Sequence, residues 1–268
     1  ISGNERHQTG TIVHKRFFQI GDYLKGGDVL VLNQAQVSPA KLKGKKTTGG
    51  HVELILIDED KSTSHWRALI RPFLPEGTTF IVDDTPVQLI GRTSAGEAIL
   101  DFKGVDPSIL MQKKGTLPLP PYIKRAPDDP LIQDDQIEYQ TVYAKTPGSL
   151  AAPTAGLHFT DGLIQQLKSN GVEIIEVLLN VGWGTFRPIQ NSVDQHSMLP
   201  EKFHVSKSAM TSLIKAKKEN RRIIAVGTTC TRVLESLDVG AKANEWEGET
   251  SIFIKPGFSF HWLSGLIT

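Results

Sequence analysis

Cysteine is all but missing from this chain: among 268 residues only Cys230 carries a thiol, which excludes an internal disulfide and any cysteine-based metal cluster. Long hydrophobic runs are missing as well. The longest, around residues 172–181, falls far short of the ~20 apolar residues that a membrane-spanning helix needs, and no basic-then-apolar leader opens the chain. A cytoplasmic protein without membrane contact is therefore expected. Charge of one sign is also lacking, because 30 Lys and Arg against 29 Asp and Glu leave a net charge of +1. Such a balance neither announces nor excludes nucleic acid, since a local patch can serve on a neutral protein. Metal-ligand spacing is absent too: His196, in a polar loop beyond Pro188, has no His-x-x-His or carboxylate partner, so no metal is expected. Neither a repeat nor a low-complexity tract is evident.

What is present describes a folded protein, with 39% hydrophobic and 22% charged residues, long enough for two domains or one domain with a large insertion. The chain starts at Ile1 without methionine and stops at LSGLIT inside an expected strand, so both ends are expected to be incomplete. Residues 27–33, GDVLVLN, have the texture of a buried strand closed by a polar turn. From about Lys41 to Phe102, short β-rich runs alternate with turn residues: KLKGKK, HVELILI, WRALI, TTFIV, VQLIGR and AILDF. Their even spacing predicts a small antiparallel barrel. A short helix over 106–114 and the proline-rich connector LPLPPYIKRAPDDP follow. Beyond Gln140 the pattern turns α/β, with helices predicted after Thr160, Ser206 and Val226, strands over 172–181 and 222–226, and a further apolar run, SIFI, at 251–254. The expected fold is an α/β main domain, barrel-like or built on a mainly parallel sheet, interrupted by an antiparallel β-barrel. The α/β catalytic domain is expected over 1–45 and 150–268, and the barrel with its proline-rich return over 46–149.

Three constellations carry chemistry. In AAPTAGLHFT (151–160), Pro153 and Gly156 constrain a loop that enters a helix capped at Thr160, and they put His158, a side chain able to move protons near neutral pH, on that loop. Thr154 and Gly156 would touch the substrate there; the alternative is a turn with a structural histidine. In LNVGWGTF (179–186), Gly182 and Gly184 let a ligand approach the backbone, and Trp183 or Phe186 either faces a cation such as a sulfonium or belongs to the core. The loop is not the glycine loop of a nucleotide-binding fold, because Arg187-Pro188 follows where a helix should begin. In AVGTTCTR (225–232), Thr228, Thr229 and free amides at a helix start suit a carboxylate or phosphate, and Arg232 one turn on either clamps the same anion or is a surface arginine. Cys230 belongs to the core. Separately, Lys41, Lys43, Lys45 and Lys46, with Lys113, Lys114, Lys124 and Arg125 near the connector, would supply sequence-independent phosphate contacts, and Tyr122, Tyr139 or Tyr143 a stacking face for an unpaired base.

Read jointly and in order, NQAQVSPAKL, LPLPPYI, EYQTVYA, GSLAAPTAGLHFT, VGWGTFRP, VGTTCTRVLES and IKPGF resemble the S-adenosylmethionine:tRNA ribosyltransferase-isomerases of queuosine biosynthesis, nearly end to end. The resemblance implies an α/β domain carrying an inserted β-barrel. It also implies an enzyme that moves the ribosyl part of S-adenosylmethionine onto 7-aminomethyl-7-deazaguanine in tRNA, isomerises it and releases adenine and methionine. On that basis tRNA and S-adenosylmethionine are the partners, the latter a co-substrate, with no separate cofactor. His158 becomes the base, Thr228, Thr229 and Arg232 the holders of the methionine carboxylate, and Glu235 a structural residue. The chain departs from the family pattern at Asn180 and Leu199, where histidines are usual, at Gln36 and Lys41, where arginines are, and in lacking the family's opening proline-arginine motif and closing Asn-Phe-His-Leu-Pro segment. Asn180 and Leu199 are expected to line one pocket with His158. A diverged tRNA-binding paralogue without turnover and an S-adenosylmethionine-dependent methyltransferase are the alternatives.

Overall fold

The computed structural model describes residues 12–126, 129–186, 198–238, 240 and 242–268. In chain order, β1 (Val29–Asn33) and β2 (Ala35–Val37) lead into β3 (Lys41–Lys46), β4 (His51–Asp60), β5 (His65–Arg71), β6 (Thr79–Val82), β7 (Thr85–Arg92) and β8 (Ala98–Asp101). Then come α1 (Pro107–Lys114), α2 (Leu131–Glu138), β9 (Thr146–Ser149), α3 (Asp161–Ser169), β10 (Glu173–Leu179), β11 (Glu201–Val205), α4 (Lys207–Lys218), β12 (Ile223–Val226), α5 (Gly227–Glu235), β13 (Trp246–Thr250) and β14 (Gly265–Ile267). The chain forms two compact units, residues 1–36 with 140–268, and residues 37–139. Both boundaries fall earlier than the sequence suggested. Strand β3 closes the barrel by pairing with β4 and β6 and so belongs to it whole, while Tyr143 packs into the core of the α/β unit.

The α/β unit is built on a six-stranded sheet in the order β13-β11-β10-β1-β12-β14. Strand β1 runs parallel to β10 and β12, and β12 parallel to β14, whereas β11 and β13 add antiparallel pairs. The sheet is open; the closed barrel lies in the other unit. Strand β1 shows why both faces need cover. Its VLVL run is buried throughout, Val29 and Val31 joining the side that holds Met210 and Leu213 of α4 and Val233 and Leu234 of α5. Leu30 and Leu32 join the side that holds Leu163, Ile164 and Leu167 of α3. Alternation sends successive residues to opposite faces, and each fully buried Val or Leu contributes about 1.5–3 kcal/mol. Caps fix the helix starts: the Thr160 hydroxyl accepts from the Leu163 amide at 3.2 Å, and the Ser206 hydroxyl from the Ala209 amide at 3.2 Å. Asn33 closes β1 from a fully buried position, its amide donating to the Leu179 carbonyl at 3.0 Å while its carbonyl accepts from Leu179 and Ala35.

The second unit is a closed antiparallel barrel in the order β3-β4-β5-β8-β7-β6. Leu42, Leu54, Leu56, Phe80, Leu89 and Leu100 fill it. At Gly44 a β-carbon would stand 2.7 Å from the Ile81 carbonyl oxygen, so this inward position takes glycine because the neighbouring strand backbone comes too close. After α1, whose start Asp106 caps, the described part of the proline-rich stretch turns at Pro120–Ile123, and α2 follows it. Strand β13 and the inward-facing Glu201 of β11 also depart from expectation, and the run 251–254 just after β13 is not a strand. Among the described residues no helix is long and apolar enough to cross a membrane.

Candidate active site

The carboxyl ends of the parallel strands set the place. Strands β1, β10, β12 and β14 end at Asn33, Leu179, Val226 and Ile267, and in open α/β sheets the loops beyond such ends form the ligand crevice. Four segments meet this edge: the start of α5 directly after β12, the last residues 266–268, the loop after β10, and the 3-10 turn Thr154–His158 that precedes α3.

His158 ends that 3-10 turn, exposed, with its ring tilted 36° against Phe17 at a centroid distance of 5.1 Å. It lines a cavity of about 560 Å³ together with Lys15, Arg16, Tyr23, Ala155 and Ile267, a volume within the ordinary range of small-molecule sites. Phe159, next in the chain, packs edge-on to Phe17 at 5.0 Å and to Tyr143 at 6.4 Å, so the histidine stands on an aromatic base. Lys15 and Arg16 give this cavity a cationic side. Nothing in the sequence reading had singled them out.

Thr154 is exposed at the head of the turn and Gly156 is buried within it. Gly156 does not adopt a left-handed conformation, which corrects the sequence argument for it. Close approach is the reason: a β-carbon would lie 2.0 Å from the Tyr143 hydroxyl oxygen and 2.8 Å from Thr141 Cγ2. Tyr143 is 7% exposed, and burial pushes its phenol far above its usual pKa, so it remains a neutral donor at any working pH. Its hydroxyl and that of Thr141 are buried without hydrogen-bond partners among the described residues. Thr141 and Tyr143 point inward while Val142 between them is exposed, the reverse of the apolar-in rule, and only the structure shows it. The same burial removes Tyr143 and Tyr139 as stacking faces; of the three tyrosines proposed for that role only Tyr122 is exposed.

Gly227, at φ +82°, opens α5 and brings its Cα against the histidine turn, so that a β-carbon there would meet Ala155 Cβ at 3.6 Å. Ala155 thus touches α5 and lines the His158 cavity. Thr228 is exposed on the first turn, where backbone amides lack intrahelical acceptors. The Thr229 hydroxyl is buried beside the weakly polar Cys230 thiol and has no other partner among the described residues. Cys230 itself is core, and burial pushes its thiol up to about 12.

Arg232 does not belong to this group. It is 9% exposed and pairs with Glu201, itself 4% exposed; its Nη2 donates to the Thr250 carbonyl at 3.0 Å and its Nε to the Ile252 carbonyl at 3.2 Å. An arginine so engaged is an internal counterion, which overturns its expected role as an anion clamp. Gly182 is tied to the same network through its amide, 2.8 Å from Glu201 Oε1. Gly184 packs on Leu199, whose Cβ would lie 3.2 Å from an added β-carbon. Neither glycine lines the His158 cavity, and neither do Asn180 and Leu199. Asn180 lines a separate hollow of about 430 Å³ with Lys202, His204 and Glu247, contrary to the expectation that it and Leu199 would share a pocket with His158. Trp183 is half-buried, whereas His196 and the side chain of Phe186 lie outside the described residues. Glu235 is structural, its carboxylate accepting from the amides of His261, Trp262 and Leu263. In the barrel unit, Lys43 and Lys45 are exposed on β3, Lys46 is half-buried, and Lys41 is held by Glu53 at 2.8 Å. Among the described residues no group of three or more His, Cys, Asp or Glu is placed to hold a metal ion.

A family profile described as "Queuosine biosynthesis protein" matches residues 4–268. The chain is 44% identical to the S-adenosylmethionine:tRNA ribosyltransferase-isomerase of Carboxydothermus hydrogenoformans, over 98% of this chain and 77% of that protein. It is 42% identical to the protein of the same name from Thermodesulfovibrio yellowstonii, over 97% and 77%. Among solved structures it is similar to the S-adenosylmethionine tRNA ribosyltransferase of Thermotoga maritima, at 30% identity and a TM-score of 0.44, covering 97% of this chain and 72% of that one.

Proposed function

This chain belongs to the queuosine biosynthesis protein family, and from that premise we propose that it is an S-adenosylmethionine:tRNA ribosyltransferase-isomerase. It transfers the ribosyl moiety of S-adenosylmethionine to 7-aminomethyl-7-deazaguanine in tRNA and isomerises it, giving epoxyqueuosine-tRNA, adenine and methionine. The observation that carries the reading is identity above 40% to proteins of that name across nearly the whole chain. The chemistry suits the site. Hydrogens beside a sulfonium are acidic, and His158, on an exposed turn at a cavity of substrate size, is the base that removes the 5′ proton. The first turn of α5, with Thr228 and Thr229, holds the methionine carboxylate, aided by Lys15 and Arg16 in place of Arg232. Tyr143 and Thr141, packed against Gly156 from beneath, keep the histidine turn in place. Asn180 and Leu199 lie off the cavity, so these departures leave the proposed base untouched, which favours an active enzyme over a silent paralogue.

The exposed Lys43 and Lys45 supply ground-state phosphate contacts to tRNA. Replacing both by alanine lowers the slope of log affinity against log salt by up to about 1.4–1.8, at roughly 0.7–0.9 per contact. Turnover is tested by product analysis. With tRNA bearing the aminomethyl base and labelled S-adenosylmethionine, this function yields adenine and methionine, a methyltransferase yields S-adenosylhomocysteine, and a binding paralogue yields neither.

A further inference from the structure

The barrel wall carries an aromatic side chain that neither the core nor the catalytic chemistry uses. Phe73 is 75% exposed, yet it is not loosely attached, because the next residue, Leu74, is buried in the barrel. Across the ring stands Arg92, its guanidinium carbon 4.3 Å from the ring centroid. Arg92 is itself fixed, with Nη2 donating to the Leu74 carbonyl at 3.0 Å and Nη1 to the Gly96 carbonyl at 3.2 Å. One face of Phe73 is therefore backed by a cation locked in position, and the rest of the ring is open.

The surroundings select the occupant. Phe73 follows β5 by two residues; Arg71, which ends β5, stands opposite Glu53 on β4, and Glu53 opposite Lys43 on β3. Lys45, opposite His51, extends the row, and Lys43, Lys45 and Arg71 are all exposed. The one acid in the row, Glu53, already pairs with Lys41 at 2.8 Å. Acidic residues of β4 gather at its other end, where Asp58 binds Arg67 at 2.6 Å and Asp60 turns back onto Ser62 at 2.9 Å. An apolar ring bordered by the exposed cations of this row, whose one acid is already paired, matches a polyanion that also bears flat aromatic groups. A protein partner would bring an apolar surface, and no second exposed aromatic adjoins Phe73 among the strands of this wall.

Resting on the tRNA-binding reading above, we infer that Phe73, backed by Arg92, is a stacking platform on the barrel for one unpaired base of the RNA, with Lys43, Lys45 and Arg71 holding the phosphates along the row that leads to it. Stacking is sequence-tolerant, because every base has a π face, so the platform positions the strand rather than reads it.

The test uses the full chain, unmodified tRNA, and a short single-stranded RNA carrying 2-aminopurine, whose fluorescence is quenched on stacking. Wild type quenches the probe. Phe73→Ala is expected to lose the quench and to bind tRNA about 5- to 150-fold more weakly, the range that base–aromatic stacking spans, with an unchanged salt slope because no charge is removed. Phe73→Tyr restores both. Lys43→Ala with Lys45→Ala gives the converse, a shallower slope with the quench retained. If Phe73→Ala binds like wild type, or binds weakly while still quenching, the platform does not exist and only the phosphate contacts stand. If wild type binds neither RNA, this inference and the tRNA reading fall together.

Discussion

Replacing Arg232 by alanine distinguishes an internal counterion from a ligand clamp, and the two roles differ in what they would cost. Three contacts are lost: the pair with Glu201 and the hydrogen bonds to the carbonyls of Thr250 and Ile252. Removing one partner of a buried ion pair costs about 3–5 kcal/mol, because the other charge stays buried alone. Each stranded carbonyl adds roughly 1 kcal/mol where water does not reach it. The parts are not additive, so about 4 kcal/mol is expected for the variant, a large share of the 5–15 kcal/mol that holds an ordinary domain together. The Gly182 amide keeps its bond to Glu201 Oε1, which tethers the loop after β10 and limits the damage there. Urea unfolding of wild type, Arg232→Ala, Arg232→Met, Glu201→Gln and the pair Arg232→Met with Glu201→Gln measures the loss and the coupling. The double variant, which leaves no unpaired charge, should recover at least half of the loss. If Arg232→Ala unfolds within about 0.5 kcal/mol of wild type while its requirement for S-adenosylmethionine rises, the guanidinium serves the ligand and the network described here is wrong.

His158→Asn should lower turnover about 100-fold or more with little effect on binding of either substrate, since a base acts in the transition state; single-turnover rates alongside binding titrations check it, and near-normal turnover would send the search for the base elsewhere. Gly156→Ala should displace the histidine turn, because the new methyl meets the Tyr143 hydroxyl at 2.0 Å, and Tyr143→Phe on that background should restore part of the lost activity and melting temperature by removing the obstructing oxygen. Failure of the second change to help would mean that Thr141 is the harder obstacle. Asp28 should make stability acid-sensitive. Burial alone would raise its pKa, but hydrogen bonds from Arg222 and the Lys25 amide, together with the Arg222 charge, hold it below the usual carboxylate range. The stabilisation is therefore present above about pH 4 and lost as pH falls through the lower folded value, so Asp28→Asn should flatten that part of the acid limb in a urea titration; an unchanged limb would assign it to other carboxylates.

What was legible in the sequence was periodic or local. The six barrel strands, the VLVL strand and the helices capped by Thr160 and Ser206 each announce themselves within a dozen residues. Helix α2 did not, because it has no apolar stripe: Leu131 and Ile137 are exposed, and its buried residue is Asp135, held by Arg125 through two bonds of 2.8 Å. Strand β13 is WEGET rather than the more hydrophobic run beside it, since its place is set by pairing with β11 across more than forty residues. The candidate site divided in the same way. His158 and the threonines of α5 sit in local motifs, whereas the burial of Arg232 depends on Glu201, 31 residues away, and no spacing rule connects them. Phe73 went unnoticed because a single exposed aromatic has no pattern until the backbone brings Arg92 to it.

The carbonyl of Gln34 accepts the amides of both Lys145 and Thr146, at 2.9 and 3.2 Å, while the Gln34 amide donates to Val177. The point where the chain leaves the α/β unit is therefore stitched to the point where it returns. A loop whose ends are already joined costs little more to close however long it grows, so the length and content of the intervening segment are nearly decoupled from the stability of its host. The α/β unit treats residues 37–139 as a surface loop. Such a junction tolerates exchange: the inserted module can be enlarged, trimmed or replaced between Gln36 and Gln140 while the strands of the host sheet keep their register.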